Sequence, residues 1–594
     1  MILFKQLHEI VSNSMIFRTG AIVLLIIGFY GTAELFGQNQ LKVDDPLSLY
    51  YRIHVNSVDN MPSFNLWPMQ IPSDSVMARN MEHYHPWKAQ PTVHAQSFFQ
   101  IRSFNYTQSE SDQVKFSLLT PVMRITHNNN FPWGLNDGSL WQGKGINHYY
   151  RTGIKIKYKK LTASFEPEFT YVQNIYSLLA PHRPPSNINR RGYPVMYIDI
   201  PQRFGRLVDD IRPEKDEYST FYPGFTTINY SLDTYSIGFS TGQMWLGPAI
   251  INPLLMSNHG PGFAHAYIRS NDPIKIPTGH LEANWFWGTL RESLFFDNDS
   301  DYSKRFVSGI TLNYSPEFFK GFYIGVNRVA YKYFPYTGLT LSDLVLPLRR
   351  VADPPTKSYA DMNLNTHWIT MTSYFLRHVM PNSNFEWYLE WGQNSYSRDV
   401  RDWLTEPMLN RAYTVGVLKN FMLNSNHSIM GLLELTQLEN NDPGAYNRQR
   451  DGTGNVNIWY ASDVIRQGYT HKGEVLGAGI GPGASSQTLK LRWYNPWGYL
   501  GTTINRTVYN NDRLFANIDY YLEDDDYQNG LARFMEVERG YELNLLVFLP
   551  FGAELQFDYR FADRLRYMNT KNLDVNNTNL SFTLRYSLRE IALN

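Results

Sequence analysis

The sequence predicts an all-β protein: a transmembrane, antiparallel outer-membrane β-barrel with a short, partly helical N-terminal segment. Three observations point there. An amino-terminal apolar run is too short to span a bilayer, apolar and polar residues alternate with period two along most of the chain, and the composition is rich in aromatics but poor in charge. Of 594 residues, 15% are aromatic, with 41 Tyr and 14 Trp, and 18% are charged, where about 25% is usual. Mean hydropathy is −0.38. The absence of Cys excludes a disulfide scaffold, a thiolate nucleophile, Cys-ligated zinc and an iron–sulfur cluster. The 54 basic residues balance 54 acidic ones, so no bulk field favours nucleic acid.

The chain opens with Lys5 and Arg18 ahead of Ala21–Tyr30 (AIVLLIIGFY). This run fits a signal-peptide core better than the roughly 20 apolar residues of a spanning helix. Residues 1–37 are read as an export signal, with cleavage near Gly37 or Gln38; an uncleaved helical anchor is the alternative. In 38–95, Asp44–Arg52 and Asp74–Met81 allow short helices, while Pro62, Pro68, Pro72 and Pro86 prevent one long helix. This lead is expected to be a periplasmic or plug-like segment, with a disordered leader as the alternative. The barrel is assigned to 96–594, and neither an internal repeat of constant period nor a linker to a second large domain is visible.

The barrel pattern is clearest near the carboxy terminus. Tyr541, Leu543, Leu545, Val547 and Leu549 share one face, with Glu542 and Asn544 on the other. After Pro550-Phe551-Gly552, the residues Ala553, Leu555, Phe557, Tyr559 and Phe561 alternate with Glu554, Gln556, Asp558 and Arg560. Leu580, Phe582, Leu584, Tyr586 and Leu588 do the same against Ser581, Thr583, Arg585 and Ser587. One face suits lipid and the other water. Gly153–Tyr158, Phe385–Trp391 and Leu489–Tyr494 repeat the pattern. Phe385, Trp387, Leu389 and Trp391 bring aromatics suited to interfacial belts, and Glu386, Tyr388 and Glu390 are expected in a hydrated lumen. Alternation also fits a soluble β-sandwich or propeller, but the export signal and dense aromatics favour lipid. Strands in lipid must then close into a barrel, because open edges leave backbone groups unpaired. At about 9 to 11 residues per crossing, the chain accommodates roughly 16 to 18 strands.

Polar, glycine-rich motifs interrupt this pattern. In FPWGLNDGSLWQGKGIN (131–147), Trp133 and Trp141 offer flat surfaces to sugar C–H faces, and Asn136, Asp137, Gln142 and Asn147 offer partners to hydroxyls. A loop packed into a barrel has the same composition. A second cluster contains Trp245, Gly247, Pro248, Asn252, Ser257, Asn258, Gly260, Phe263 and His265. In the third, His471-Lys472-Gly473-Glu474 precedes VLGAGIGPG, where Gly477, Gly479, Gly481 and Gly483, if extended, bare one strand face for close packing. It lacks the Lys-Ser/Thr ending of a phosphate-binding loop. His83-x-His85 has no clear third metal ligand, and the acidic turn Glu523–Asp526 does not by itself supply the roughly 6 to 8 oxygens of a calcium site. No metal or cofactor is expected.

NDGSLWQGKGIN at 136–147, WLGPAIINPLLMSNHGPGF at 245–263, FEWYLEWGQN at 385–394, EPMLNRAYTVG at 406–416 and HKGEVLGAGIGPG at 471–483 occur in an order and spacing that resemble the Wzi-like capsule assembly proteins of the outer membrane, in particular Bacteroidota-type members. The resemblance implies a barrel of about 18 strands that retains or assembles surface polysaccharide, with lectin-like behaviour rather than catalysis. Two features depart from the family pattern: the lead is broken by proline, and the chain ends SLREIALN rather than on an aromatic residue.

The expected function is therefore binding, retention or assembly of capsular or exopolysaccharide, with a diffusion channel or transporter as the alternative. The polysaccharide-binding candidates are Trp133, Asn136, Asp137, Trp141, Gln142, Trp245, Asn258 and His265. An enzyme is not expected: Glu386 and Glu390 share one strand face, whereas glycoside hydrolysis needs two carboxyls across a substrate at about 5 to 9.5 Å. Expected partners are the polysaccharide and outer-membrane lipid or lipopolysaccharide, with room for unidentified outer-membrane protein partners and none for nucleic acid.

Overall fold

A computed structural model describes residues 40–41, 46, 48–55, 65–67, 69–70, 114–175, 217–292, 303–335, 338–349, 368–394, 411–424, 426–439, 458–461, 465, 468–509, 511–512, 535–549, 553–567 and 571–586. The expected export signal, Asp74–Met81, the His83–His85 pair, the Glu523–Asp526 turn and the Pro550–Gly552 turn lie outside the described residues.

The described strands form a closed barrel of 18 antiparallel strands. In chain order they are β1 (Lys115–Asn128), β2 (Gly145–Tyr158), β3 (Leu161–Phe165 with Glu168–Val172), β4 (Tyr218–Tyr222 with Thr227–Ser231), β5 (Tyr235–Ser240) and β6 (His265–Ser270 with Ile274–Ile276). There follow β7 (Gly279–Arg291), β8 (Lys304–Pro316), β9 (Phe322–Tyr333), β10 (Ile369–Met380), β11 (Phe385–Asn394) and β12 (Arg411–Asn424). The last are β13 (His427–Gln437), β14 (Ser485–Asn495), β15 (Gly498–Tyr509), β16 (Glu536–Phe548), β17 (Ala553–Leu565) and β18 (Val575–Tyr586). Breaks in β3, β4 and β6 contain Pro167, Pro223 and Pro273, residues that lack the ladder donor and fall at such interruptions. β18 closes on β1, with Asn579 opposite Asn128 and Arg585 opposite Val122.

Connections such as 159–160, 232–234 and 496–497 are short and lie at one end, where β1 also begins and β18 ends. Those at the opposite end, including 129–144, 241–264 and 438–484, are long. Outer-membrane barrels have short periplasmic turns and longer extracellular loops, which gives each end its side. The protein is an outer-membrane barrel.

The alternating rows divide as the sequence predicts. Leu543 and Leu555 are 54% and 37% exposed on the outer face, whereas Asn544 and Glu554 are buried inside. On β14, Leu489, Leu491 and Trp493 stand outside. The expectation of a hydrated lumen at Glu386 and Glu390 is overturned: both are buried against polypeptide that folds into the barrel. A carboxylate in such a place needs partners, and each has them.

Candidate functional site

Three long loops and part of the N-terminal lead fold into the lumen, and the three motifs singled out in the sequence supply the loops. Loop 129–144 is pinned at the seam between β18 and β1 by asparagines, whose amides both donate and accept. Asn128 Nδ2 donates to Trp133 O at 2.9 Å, and Asn128 Oδ1 accepts from Asn577 and Asn579 at 3.0 and 2.9 Å. Asn579 also donates to Gln142 Oε1 at 3.0 Å.

Loop 241–264 descends farther. Trp245 and Leu246 pair with Trp67 and Leu66 of the lead, and Trp245 Nε1 donates to Ala249 O at 2.9 Å. Below that turn Glu434 of β13 accepts the N–H groups of Ile250, Ile251 and Asn252 at 2.8, 3.0 and 2.8 Å, together with Tyr388 Oη at 2.6 Å. Glu390 of β11 accepts Leu254 N–H at 3.2 Å and Ser373 Oγ at 2.7 Å. These wall carboxylates satisfy loop donors that are shut away from water.

The third loop locks the second. Tyr460 Oη donates to Leu254 O at 2.7 Å and accepts Ala478 N–H at 2.8 Å, while Ser257 Oγ donates to Gly477 O at 2.6 Å. The glycine run is a chain of turns rather than a strand, with Gly481 and Gly483 at φ +87° and +56°. A Cβ on Gly477 would collide with Tyr460 Oη, and one on Gly479 would meet His259 Nδ1 at 2.7 Å. Close approach therefore does require glycine there. Leu254, Leu255, Met256 and Phe263 form one apolar cluster with Trp459, Tyr460, Tyr469 and Leu476, against wall residues Val307, Val329 and Tyr331.

From the periplasmic end, helix α1 (Ser48–Val55) seats Leu49 and Tyr50 beside Ile251, Tyr494 and Tyr499. Arg52 reaches Glu386 and donates to Pro248 O at 2.6 Å; Arg377 Nε holds the same carboxylate at 2.8 Å.

The eight polysaccharide candidates occupy different places in this body. Asn136, at φ +56°, donates to Ile251 O at 2.8 Å, and Asn258 donates to Asn136 O at 3.2 Å. Asp137 accepts Leu135 N–H at 2.6 Å and lies 3.4 Å from Arg124. The structure thus joins Asn136, Asp137 and Asn258. Trp133 and Gln142 share the asparagine seam, and the Arg560 guanidinium lies 3.8 Å from the Trp133 ring centroid. Trp141, Gln142, Trp245, Asn258 and His265 are buried; Trp133, Asn136 and Asp137 are half-buried. His265 sits on the wall with Nδ1 2.8 Å from Phe263 O.

Reading from sequence missed Glu434, Tyr460, Arg52 and the Asn128–Asn577–Asn579 seam. Glu434 carried a weak signal, as a carboxylate alternating with leucines in GLLELTQ. Among the described residues no group of His, Cys, Asp and Glu is arranged to hold a metal ion.

No family model matches the chain, and no curated protein matches it. Among solved structures it is similar to Wzi of Escherichia coli, an outer-membrane protein involved in group 1 capsule assembly and described as a carbohydrate-binding β-barrel, with a TM-score of 0.56 at 8% identity over 93% of this chain and 100% of that one. At that identity the likeness is one of fold. OpdK of Pseudomonas aeruginosa, solved with vanillate, aligns at a TM-score of 0.35 and 12% identity, over 80% of this chain and 98% of that one. A BenF-like porin of Pseudomonas fluorescens aligns at 0.36 and 11%, over 80% and 99%.

Proposed function

We propose that this barrel binds and retains capsular or exopolysaccharide at the cell surface without chemically altering it. The observation that carries the reading is the plug: extracellular loops fold into the lumen and are held there by Glu390, Glu434 and Tyr460. A wall closed in this way serves as a rigid mount for a binding surface. Likeness in fold, over 93% of this chain, to a carbohydrate-binding barrel supports the same reading. Half-buried Trp133, Asn136 and Asp137 form the favoured contact surface, where an indole face, an amide and a carboxylate suit sugar C–H faces and hydroxyls. A repeating polymer gains avidity when several such contacts engage together.

In this reading 1–37 is an export signal, 38–95 is a periplasmic or plug-like N-terminal segment, and 96–594 is the barrel. Partners are the polysaccharide and outer-membrane lipid or lipopolysaccharide, with room for unidentified outer-membrane proteins. The second reading is a channel or transporter. The strip of half-buried polar wall residues Lys490, Arg492, Glu542, Gln556 and Asp558 favours it. Purified barrel, assayed for binding to the organism's own surface glycans and for small-solute conductance, separates the two. Glycan binding with low conductance supports retention; robust conductance without glycan binding selects the channel.

A further inference from the structure

Near the extracellular end of β8–β10 the outward rows carry an anomaly. Phe306, Ser308, Ala330, Lys332 and Thr370 alternate with lumenal Val307, Val329, Tyr331 and Met371, so they stand on the lipid side, yet all five are buried. The cover at this place is the connection between β9 and β10, of which 338–349 folds back over the outside of the wall and packs on β8 and β9.

This segment holds a one-turn helix, α2 (Leu341–Leu344), and a 3-10 turn, Leu346–Leu348. Its inner side combines buried Leu346 and Pro347 with polar contacts. Asp343 Oδ1 pairs with Lys332 Nζ at 2.5 Å, both side chains being buried, and Asp343 Oδ2 accepts Thr340 N–H and Oγ1 at 2.9 Å each. Leu344 O accepts Trp287 Nε1 at 2.7 Å, and Arg349 O accepts Arg328 Nη2 at 3.0 Å. Arg328 and Lys332 are cations on an outward row, where unpartnered charge is destabilising in a depth-dependent way. The folded-back segment gives each an acceptor.

Its outer side carries four large apolar side chains beside exposed Thr340, Ser342 and Arg349. Leu339, Leu341, Val345 and Leu348 are 40%, 84%, 39% and 60% exposed. They continue, toward the rim, the lipid-facing surface of Leu312, Ile324 and Tyr374 on β8, β9 and β10. The wall below is in lipid, and the apolar side of the flap is continuous with it.

We propose that residues 338–349 form a membrane-seated flap that covers two wall cations and docks Leu339, Leu341, Val345 and Leu348 into the outer leaflet. The flap exchanges a charged patch of wall for an apolar one at the level where acyl chains meet head groups, as interfacial apolar segments do. The occupant of this surface is lipid, and the inference does not depend on what the loops at the mouth bind.

The chain has no Cys, so Leu341→Cys and Leu348→Cys each take one environment-sensitive fluorophore, with Lys571→Cys in the exposed β17–β18 connection as the aqueous reference. The full-length protein is reconstituted in phospholipid vesicles with brominated acyl chains and compared with unbrominated ones, and heat-modifiable gel migration shows that each variant keeps its barrel. Expected is at least twofold quenching by brominated lipid at 341 and 348 with little quenching by iodide, and the reverse at 571. Iodide access at 341 and 348 equal to that at 571 overturns the proposal. So does protection from both quenchers that grows with protein-to-lipid ratio, which assigns the surface to a second copy of the chain. Adding Asp343→Asn to the 348 label is expected to raise iodide access; unchanged quenching overturns the ion pair as the anchor.

Discussion

Arg52 and Glu386 are 334 positions apart in the chain and meet inside the barrel, Arg52 Nε donating to Glu386 Oε1 at 3.0 Å. Glu386 is shared with Arg377 of the wall, and Arg52 also bonds Pro248 O of the descending loop. One guanidinium therefore ties the lead, the wall and the plug together. Its planar fork of donors allows this, where a lysine ammonium offers a single point.

Replacing Arg52 with Met is expected to loosen α1 and leave the barrel folded, since Arg377 still neutralises Glu386. Hydrogen bonds to charged groups contribute about 1.5–3 kcal/mol, so amide exchange in 48–55 should rise about 10- to 150-fold. Exchange measured by mass spectrometry checks this, and unchanged protection would show that apolar seating of Leu49 and Tyr50 alone holds the helix.

Glu434→Gln puts an amide donor where one carboxylate now accepts three loop N–H groups and the Tyr388 hydroxyl. Each buried donor left unmatched costs about 1–3 kcal/mol. The descending loop should detach, and planar-bilayer conductance of small ions should rise severalfold over wild type. Conductance that stays at the wild-type level would remove Glu434 as the clamp.

His471 belongs to the plug, where its Nδ1 accepts Arg291 N–H at 3.0 Å. Burial holds its pKa well below the ordinary histidine value of 6.5, so the folded state keeps it neutral. As pH falls below 6.5 the unfolded loop takes up a proton that the folded loop refuses, and stability is lost; above 6.5 its contribution is complete. Protease cutting within 468–484 should increase from pH 7 to pH 5 in wild type. His471→Asn should flatten that rise, and an equal rise in the variant would place the sensitivity elsewhere.

On the proposed retention function, Trp133→Ala is expected to lower polysaccharide retention without shortening the polymer, because Arg560 lies over the ring and the proposal assigns its half-buried edge to sugar. Trp141→Ala and Trp245→Ala remove buried rings instead and should cost about 3–5 kcal/mol of packing. Binding isotherms with thermal unfolding separate the two classes. If all three lose stability alike and Trp133→Ala binds polymer normally, the contact surface lies elsewhere.

Cysteines placed at Leu543 and Leu555 should react with a lipid-phase probe, and those at Asn544 and Glu554 should not. Mass spectrometry of the labelled protein reads the contrast, and equal protection of both pairs would contradict the lipid face.

Much of the wall is legible in the residues themselves. Side chains alternate across a strand with period two, so Leu543 against Asn544, or Leu555 against Glu554, declares its side from its neighbours alone. The motif around Trp133, the one around Trp245 and the glycine run after His471 were equally visible as departures from that period.

Their arrangement was not visible, because it rests on contacts between distant parts of the chain. Asn577 and Asn128 are 449 positions apart, and no local pattern says that they close the same seam. Glu386 and Glu390 read as charges for a watery lumen until α1 and the descending loop arrive to desolvate and pair them. Alternation assigns a residue to the inner face; only the folded chain determines whether water or polypeptide meets it there, since that depends on which loops turn inward and find donors and acceptors already waiting on the wall.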